Sequence, residues 1–116
     1  MAKGIIIAKN MKKANILEDD ISLEENVSDE IYGFIEFDKD NYHNIWAIVK
    51  EFYGPDGDFV FSTNKILDLK KEIVKLLQKI KRNKSVNEDV VGFLKGLLAL
   101  CNRAIKNNLN LYGFAD

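Results

Sequence analysis

The stretch SVNEDVVGFLKGLLALCNRAI, residues 85–105, decides the reading of this 116-residue chain. Ser85-Val86-Asn87-Glu88 has the spacing of a capping box: the serine hydroxyl accepts from the Glu88 amide while the Glu88 carboxylate reaches back to the serine amide. The helix it opens carries Val90, Val91, Phe93, Leu94, Leu97, Leu98, Leu100, Cys101, Ala104 and Ile105, an apolar surface too wide to be covered from one side. The spacing predicts the central helix of the fold. Gly92 and Gly96 lower its intrinsic propensity and leave room for another element to approach closely. Cys101, on the apolar stripe, reads as a buried thiol that behaves as a small hydrophobe with a high pKa.

Beyond this helix, Asn107-Asn108 suits a left-handed stop, and Leu109, Leu111 and Gly113 alternate with Asn110, Tyr112 and Phe114 as a terminal strand. Before it, Ser62, Thr63 or Asn64 caps a helix whose stripe is Ile66, Leu69, Ile73, Leu76, Leu77 and Ile80, with Lys70, Lys71, Lys75 and Lys79 opposite. Lys81-Arg82-Asn83-Lys84 complements the negative end of that helix dipole. A turn over Pro55-Asp56-Gly57-Asp58 and a brief strand over residues 58–61 precede it.

Tyr42, Ile45, Trp46, Val49, Phe52 and Tyr53 recur at helical steps after a cap at Asp40 or Asn41, and Gly54-Pro55 ends that helix. The first strand covers residues 4–8, short and β-branched. Residues 30–38 are rich in aromatic and β-branched side chains, with Ile31, Gly33, Ile35 and Phe37 on one face, and read as a second strand. Residues 10–29 read as loop with one short strand, docked through Ile16, Leu17, Ile21 and Leu23. The expected architecture is a single α+β domain over residues 1–116: a small mixed β-sheet packed against about three α-helices.

Composition agrees with a packed domain, at 47% apolar and 30% charged residues with one proline. A single cysteine excludes an internal disulfide. No leader or long uncharged apolar run is present, so a cytoplasmic location without a membrane span is expected. The formal charge of −1 names no partner, but its distribution is uneven. Residues 16–40 hold ten acids against Lys39, a net of −9, and residues 61–84 hold eight bases against Asp68 and Glu72, a net of +6. Either these runs are solvated faces that neutralise each other across the fold, or the acidic one attracts a basic partner and speeds encounter. Phosphates would be repelled by it, which argues against direct nucleic-acid binding there.

Enzyme signatures are missing. His43 and Cys101 stand 58 positions apart, so no local metal motif exists. No phosphate-cradling or cofactor-binding pattern follows Gly54 or Gly57. Asp19-Asp20 and Glu24-Glu25 are not fixed to bracket a substrate. The lysine face of residues 65–84 lacks interleaved aromatics, and the isoelectric point near 5.9 is far from that of typical nucleic-acid modules.

Residues 57–61 followed by the helix over residues 66–73, and residues 100–105 leading into 109–113, resemble the arrangement in immunity proteins of bacterial contact-dependent growth inhibition and related polymorphic toxin systems. The resemblance covers about the second half of the chain. It implies binding to the C-terminal toxic domain of a large effector, in many cases a nuclease, and occlusion of its active site. On that reading Glu18, Asp19, Asp20, Glu24, Glu25, Asp29 and Glu30 meet cations of the toxin. Tyr32 and Trp46 are the aromatic anchors, drawn from a set that also includes Tyr42, Tyr53 and Tyr112. The alternative is a small regulatory or adaptor module that binds nucleic acid or protein through its lysine-rich helix. Monomer and homodimer both stay open.

Overall fold

A computed structural model describes residues 2–51, 57–83 and 85–115. Strand β1 (Ala2–Ala8) leads through the short helix α1 (Met11–Ala14) to β2 (Ile21–Glu24), and α2 (Glu25–Ile35) follows directly. A 3₁₀ turn (Lys39–Asn41) precedes α3 (His43–Trp46), which continues as a π-helical stretch, Ala47–Glu51. Then come β3 (Phe59–Phe61), α4 (Thr63–Lys81), α5 (Glu88–Asn107) and β4 (Asn110–Ala115). The four strands form one sheet in the order β2-β1-β4-β3. Every described pairing is antiparallel, with Ile5 opposite both Ile21 and Gly113, and Leu111 opposite both Ile7 and Phe61. The α+β class is therefore as read, while the sheet is antiparallel rather than mixed: the two terminal strands lie side by side, and β2 and β3 flank them.

Strand alternation sorts the sheet into two faces. Ile5, Ile7, Leu23, Phe61 and Leu111 point into the main core, where α4 and α5 contribute Ile66, Leu69, Ile73, Leu76, Leu94, Leu97 and Cys101. Ile6, Ala8 and Tyr112 point the other way, into a small cluster closed by Ala14 of α1, with Phe114 against it. Phe59 lies over Gly113, where an added Cβ would strike its ring. Helix α5 touches α2, α4, β1, β2 and β4, which makes it the central helix.

Residues 30–38 correct the sequence reading, for they are not a strand. Val27, Ile31 and Ile35 are buried at four-residue steps on α2, whereas Gly33 and Phe37 are exposed. Aromatic and β-branched content favours the strand, but burial follows the helical period, and Glu25, Asp29 and Glu36 fall on exposed positions away from that stripe. The docking residues of the preceding segment divide likewise: Leu23 is buried and Ile21 half-buried, while Ile16 and Leu17 face solvent.

The capping box is also corrected. Asn87, not Ser85, is the cap of α5, and its side chain accepts from the Asp89 amide at 2.8 Å. Neither Gly92 nor Gly96 is held to glycine by a close approach. A Cβ would meet nothing at the first and only an ordinary contact with Ile21 at the second. Asn108 takes the left-handed conformation (φ 54, ψ 50) expected of it. The expected helix over residues 40–53 starts at His43 and is described to Glu51. Phe52, Tyr53, the Gly54-Pro55 stop and residues 55 and 56 of the turn lie outside the described residues.

Candidate partner-binding surface

The acidic residues named from sequence occupy three places. Glu18, Asp19 and Asp20 sit in the exposed loop before β2. Asp20 also supports β1, its backbone N–H donating to the Ile5 carbonyl at 2.9 Å and its carboxylate accepting from the Ile7 amide at 3.1 Å. Glu18 and Asp20 line a small hollow of about 230 Å³ together with Arg103. Glu25, in the first turn of α2, complements the helix dipole. Asp29 is exposed on α2, and Glu30 is half-buried, with one carboxylate oxygen covered and without a hydrogen-bond partner among the described residues.

Glu24 lies elsewhere, where tertiary structure adds to the site. At the junction of β2, α2 and the start of α5, a cleft of about 550 Å³ has Ile21, Val27 and Phe93 among its apolar lining. Among the described residues, the charged ones that line it are all carboxylates: Glu24 from β2, and Glu88 and Asp89 from the first turn of α5. Sequence reasoning treated residues 85–88 as a helix start, so it missed that pairing across more than sixty positions. Their placement in the first turn, where acids suit the dipole, is the local cause, and the β2–α5 contact brings Glu24 to them.

Tyr32 and Trp46, the aromatic candidates, are both half-buried against the core. The Lys50 ammonium lies 5.1 Å from the Tyr32 ring centre and that of Lys39 lies 3.8 Å from Trp46, so each ring face already carries a cation. Tyr42 and Tyr112 are buried in the two cores, and Tyr53 is outside the described residues. Among the described residues the presented aromatic side chain is instead Phe37, 95% exposed just past the end of α2 and flanked by Glu36 and Asp38. A helical reading of residues 25–35 would have placed it beyond the helix end; the strand reading hid it.

Several lysines expected on the solvated face of α4 act within the fold. Lys79 donates to the Phe34 carbonyl at 2.9 Å, Lys75 and Lys79 lie over the Tyr42 ring, and Lys65 lies over Phe61. Lys3 is buried outright, with its ammonium donating to the Gly57 carbonyl.

The other buried charged residue among those described is Glu72, on the face of α4 that meets α3. Its carboxylate accepts from the amides of Asn44 (3.0 Å) and Ile45 (2.9 Å) and from the Asn44 side chain (2.8 Å). It thus caps α3 from another helix, because Tyr42 at the cap position offers no side-chain bond. His43 Nδ1 stands 3.6 Å from the same carboxylate, with the imidazole largely exposed, and Asn44 Nδ2 lies 3.3 Å from Nε2. That arrangement orients an imidazole. Burial pushes the Cys101 thiol up to about 12, against a smaller opposing effect of Lys70, so the thiol keeps its proton at neutral pH. Among the described residues no group of three or more His, Cys, Asp or Glu side chains is placed to hold a metal ion, and no helix is long and apolar enough to cross a membrane.

Comparison with known proteins adds no relative: no family model, no curated protein and no solved structure matches this chain.

Proposed function

We propose that this chain is a cytoplasmic immunity protein that neutralises a basic toxin domain, in many such systems a nuclease, by covering its active site. The observation that carries the reading is the cleft at β2, α2 and α5, where three carboxylates stand over an apolar floor. Such a cleft suits an arginine or lysine: the aliphatic stem packs on Phe93 and Val27 while the cationic head meets Glu24, Glu88 and Asp89. A toxin that handles a polyanionic substrate presents cations of this kind, and complementary charge speeds encounter. Glu25, next in the chain to Glu24 and to Asn26 of the cleft lining, adds a further acid at the start of α2.

A large secreted-effector gene directly upstream is expected, and the C-terminal domain of its product is the probe. Co-production should rescue growth and give a 1:1 complex. Replacing Glu24, Glu88 and Asp89 by lysine should slow association about tenfold or more at low salt and abolish rescue while the fold persists, since all three are exposed. Rescue and association kinetics unchanged by that triple reversal would remove the cleft from the interface. A chain that forms no complex with the domain would overturn the function itself.

A further inference from the structure

The hairpin of α4 and α5 carries a second concave surface with the opposite character. Between the two helices runs an open groove of about 580 Å³ whose walls include Val74 and Leu77 of α4 and Val91 and Leu98 of α5. The charged residues that line it are Lys81 and Lys95, one from each helix, and no carboxylate lines it among the described residues. Two further apolar side chains stand exposed on the outer side of α4, Val74 at 39% and Leu67 at 40%, with Lys70 and Lys71 on the turn between them. From Leu67 to Lys81 is fourteen residue steps, about 21 Å of helix axis.

We infer that this groove is a docking site for an amphipathic α-helix of a partner protein, about four turns long, with an apolar stripe and acidic flanks. Three features select that occupant. The walls are helices whose backbone groups are already paired, so an extended peptide finds no ladder to join, and no aromatic side chain lines the groove among the described residues to seat a polyproline chain, which favours a helix laid into a helix–helix groove. The lysines, one from each wall, match carboxylates that border an apolar stripe. The exposed ridge of Leu67 and Val74 is covered by a helix lying over the groove and left in water by a slender chain lying within it. The acidic helix α2 of a second copy does not supply the partner, because it spends its apolar residues Val27, Ile31 and Ile35 on its own core. The site differs in place and sign from the acidic cleft and stands independently of the function proposed for it.

The test uses the full chain and three labelled synthetic peptides of about four turns: leucines at helical spacing flanked by glutamates, the same stripe flanked by lysines, and a scrambled acidic control. Fluorescence anisotropy at low salt should show binding of the first alone, weakening as salt rises. Val74→Glu should weaken it about tenfold or more, and the pair Lys81→Glu and Lys95→Glu should do so and transfer preference to the lysine-flanked peptide. The lysine pair sits on exposed positions, so it serves even if Val74→Glu disturbs packing. Glu24→Gln, on β2 and outside the groove lining, should leave peptide binding unchanged, which separates this site from the cleft. Three results would overturn the inference: equal binding of the scrambled peptide or none at all; dodecanoate, but not the acidic helix, shifting the Val91 and Leu98 methyl signals; or a concentration-dependent dimer that Val74→Glu dissolves.

Discussion

Glu72→Gln tests whether a buried charge organises the α3 end of the molecule. The parent carboxylate accepts two backbone N–H groups and one side-chain amide at 2.8 to 3.0 Å, all in a site nearly closed to water. Bonds to an ionised acceptor are about twice as strong as neutral ones, roughly 1.5–3 against 0.5–1.5 kcal/mol. Glutamine keeps one oxygen for the Asn44 and Ile45 amides, and the Asn44 side chain can turn its own oxygen toward the new amide. The expected cost is therefore the lost charge assistance, about 1–2 kcal/mol. Glu72→Ala leaves two N–H donors at the start of α3 and the Asn44 amide without their acceptor, and should cost about 3–5 kcal/mol. At roughly 4 °C per kcal/mol for a domain of this size, the midpoints should fall by about 4–8 °C and 12–20 °C respectively. Urea unfolding with unchanged m checks that only stability has moved. If the two variants were equal, or both within about 0.5 kcal/mol of the parent, the carboxylate would not be what caps α3.

Three further outcomes follow from particular contacts. Burial raises the pKa of both Cys101 and Tyr42, the latter aided by the nearby Asp38 and Glu72 carboxylates, so the folded chain holds protons that the unfolded chain releases. For the thiol that stabilisation is complete below its ordinary value of 9.0 and is lost as pH rises toward about 12, and for the phenol the loss begins only above its ordinary value of 10.0, so denaturation midpoints should fall at alkaline pH and fall less in Cys101→Ala and in Tyr42→Phe. Iodoacetamide should accordingly leave native Cys101 unmodified at pH 8 and label it in denaturant. Gly113→Ala should cost about 1–3 kcal/mol, because the new methyl strikes the Phe59 ring, and pairing it with Phe59→Leu should recover part of the loss in a thermal melt. Asn108→Ala should cost about 1 kcal/mol and Asn108→Gly less than half of that, since only the alanine is strained at positive φ.

Local pattern alone determined the elements whose signals run over many residues. The stripe of α4, the apolar width of α5, the left-handed Asn108 and the alternation of β4 were legible because each residue's environment follows from its neighbours a few positions away. The same reasoning gave the α+β class and the excess of acid in residues 16–40. It failed at α2, where the short-range preference of Ile31, Tyr32, Phe34 and Ile35 for strands competes with burial at every fourth residue, and only the core against which Val27, Ile31 and Ile35 pack decides between them. It failed again at the cap of α3, whose acceptor is Glu72, twenty-eight positions from Asn44. The candidate surfaces are of this second kind. Glu24 shares a cleft with Glu88 and Asp89, and Val74 shares a groove with Leu98, because packing folds distant segments onto one another, and no periodicity in a chain records which of its faces that packing leaves open.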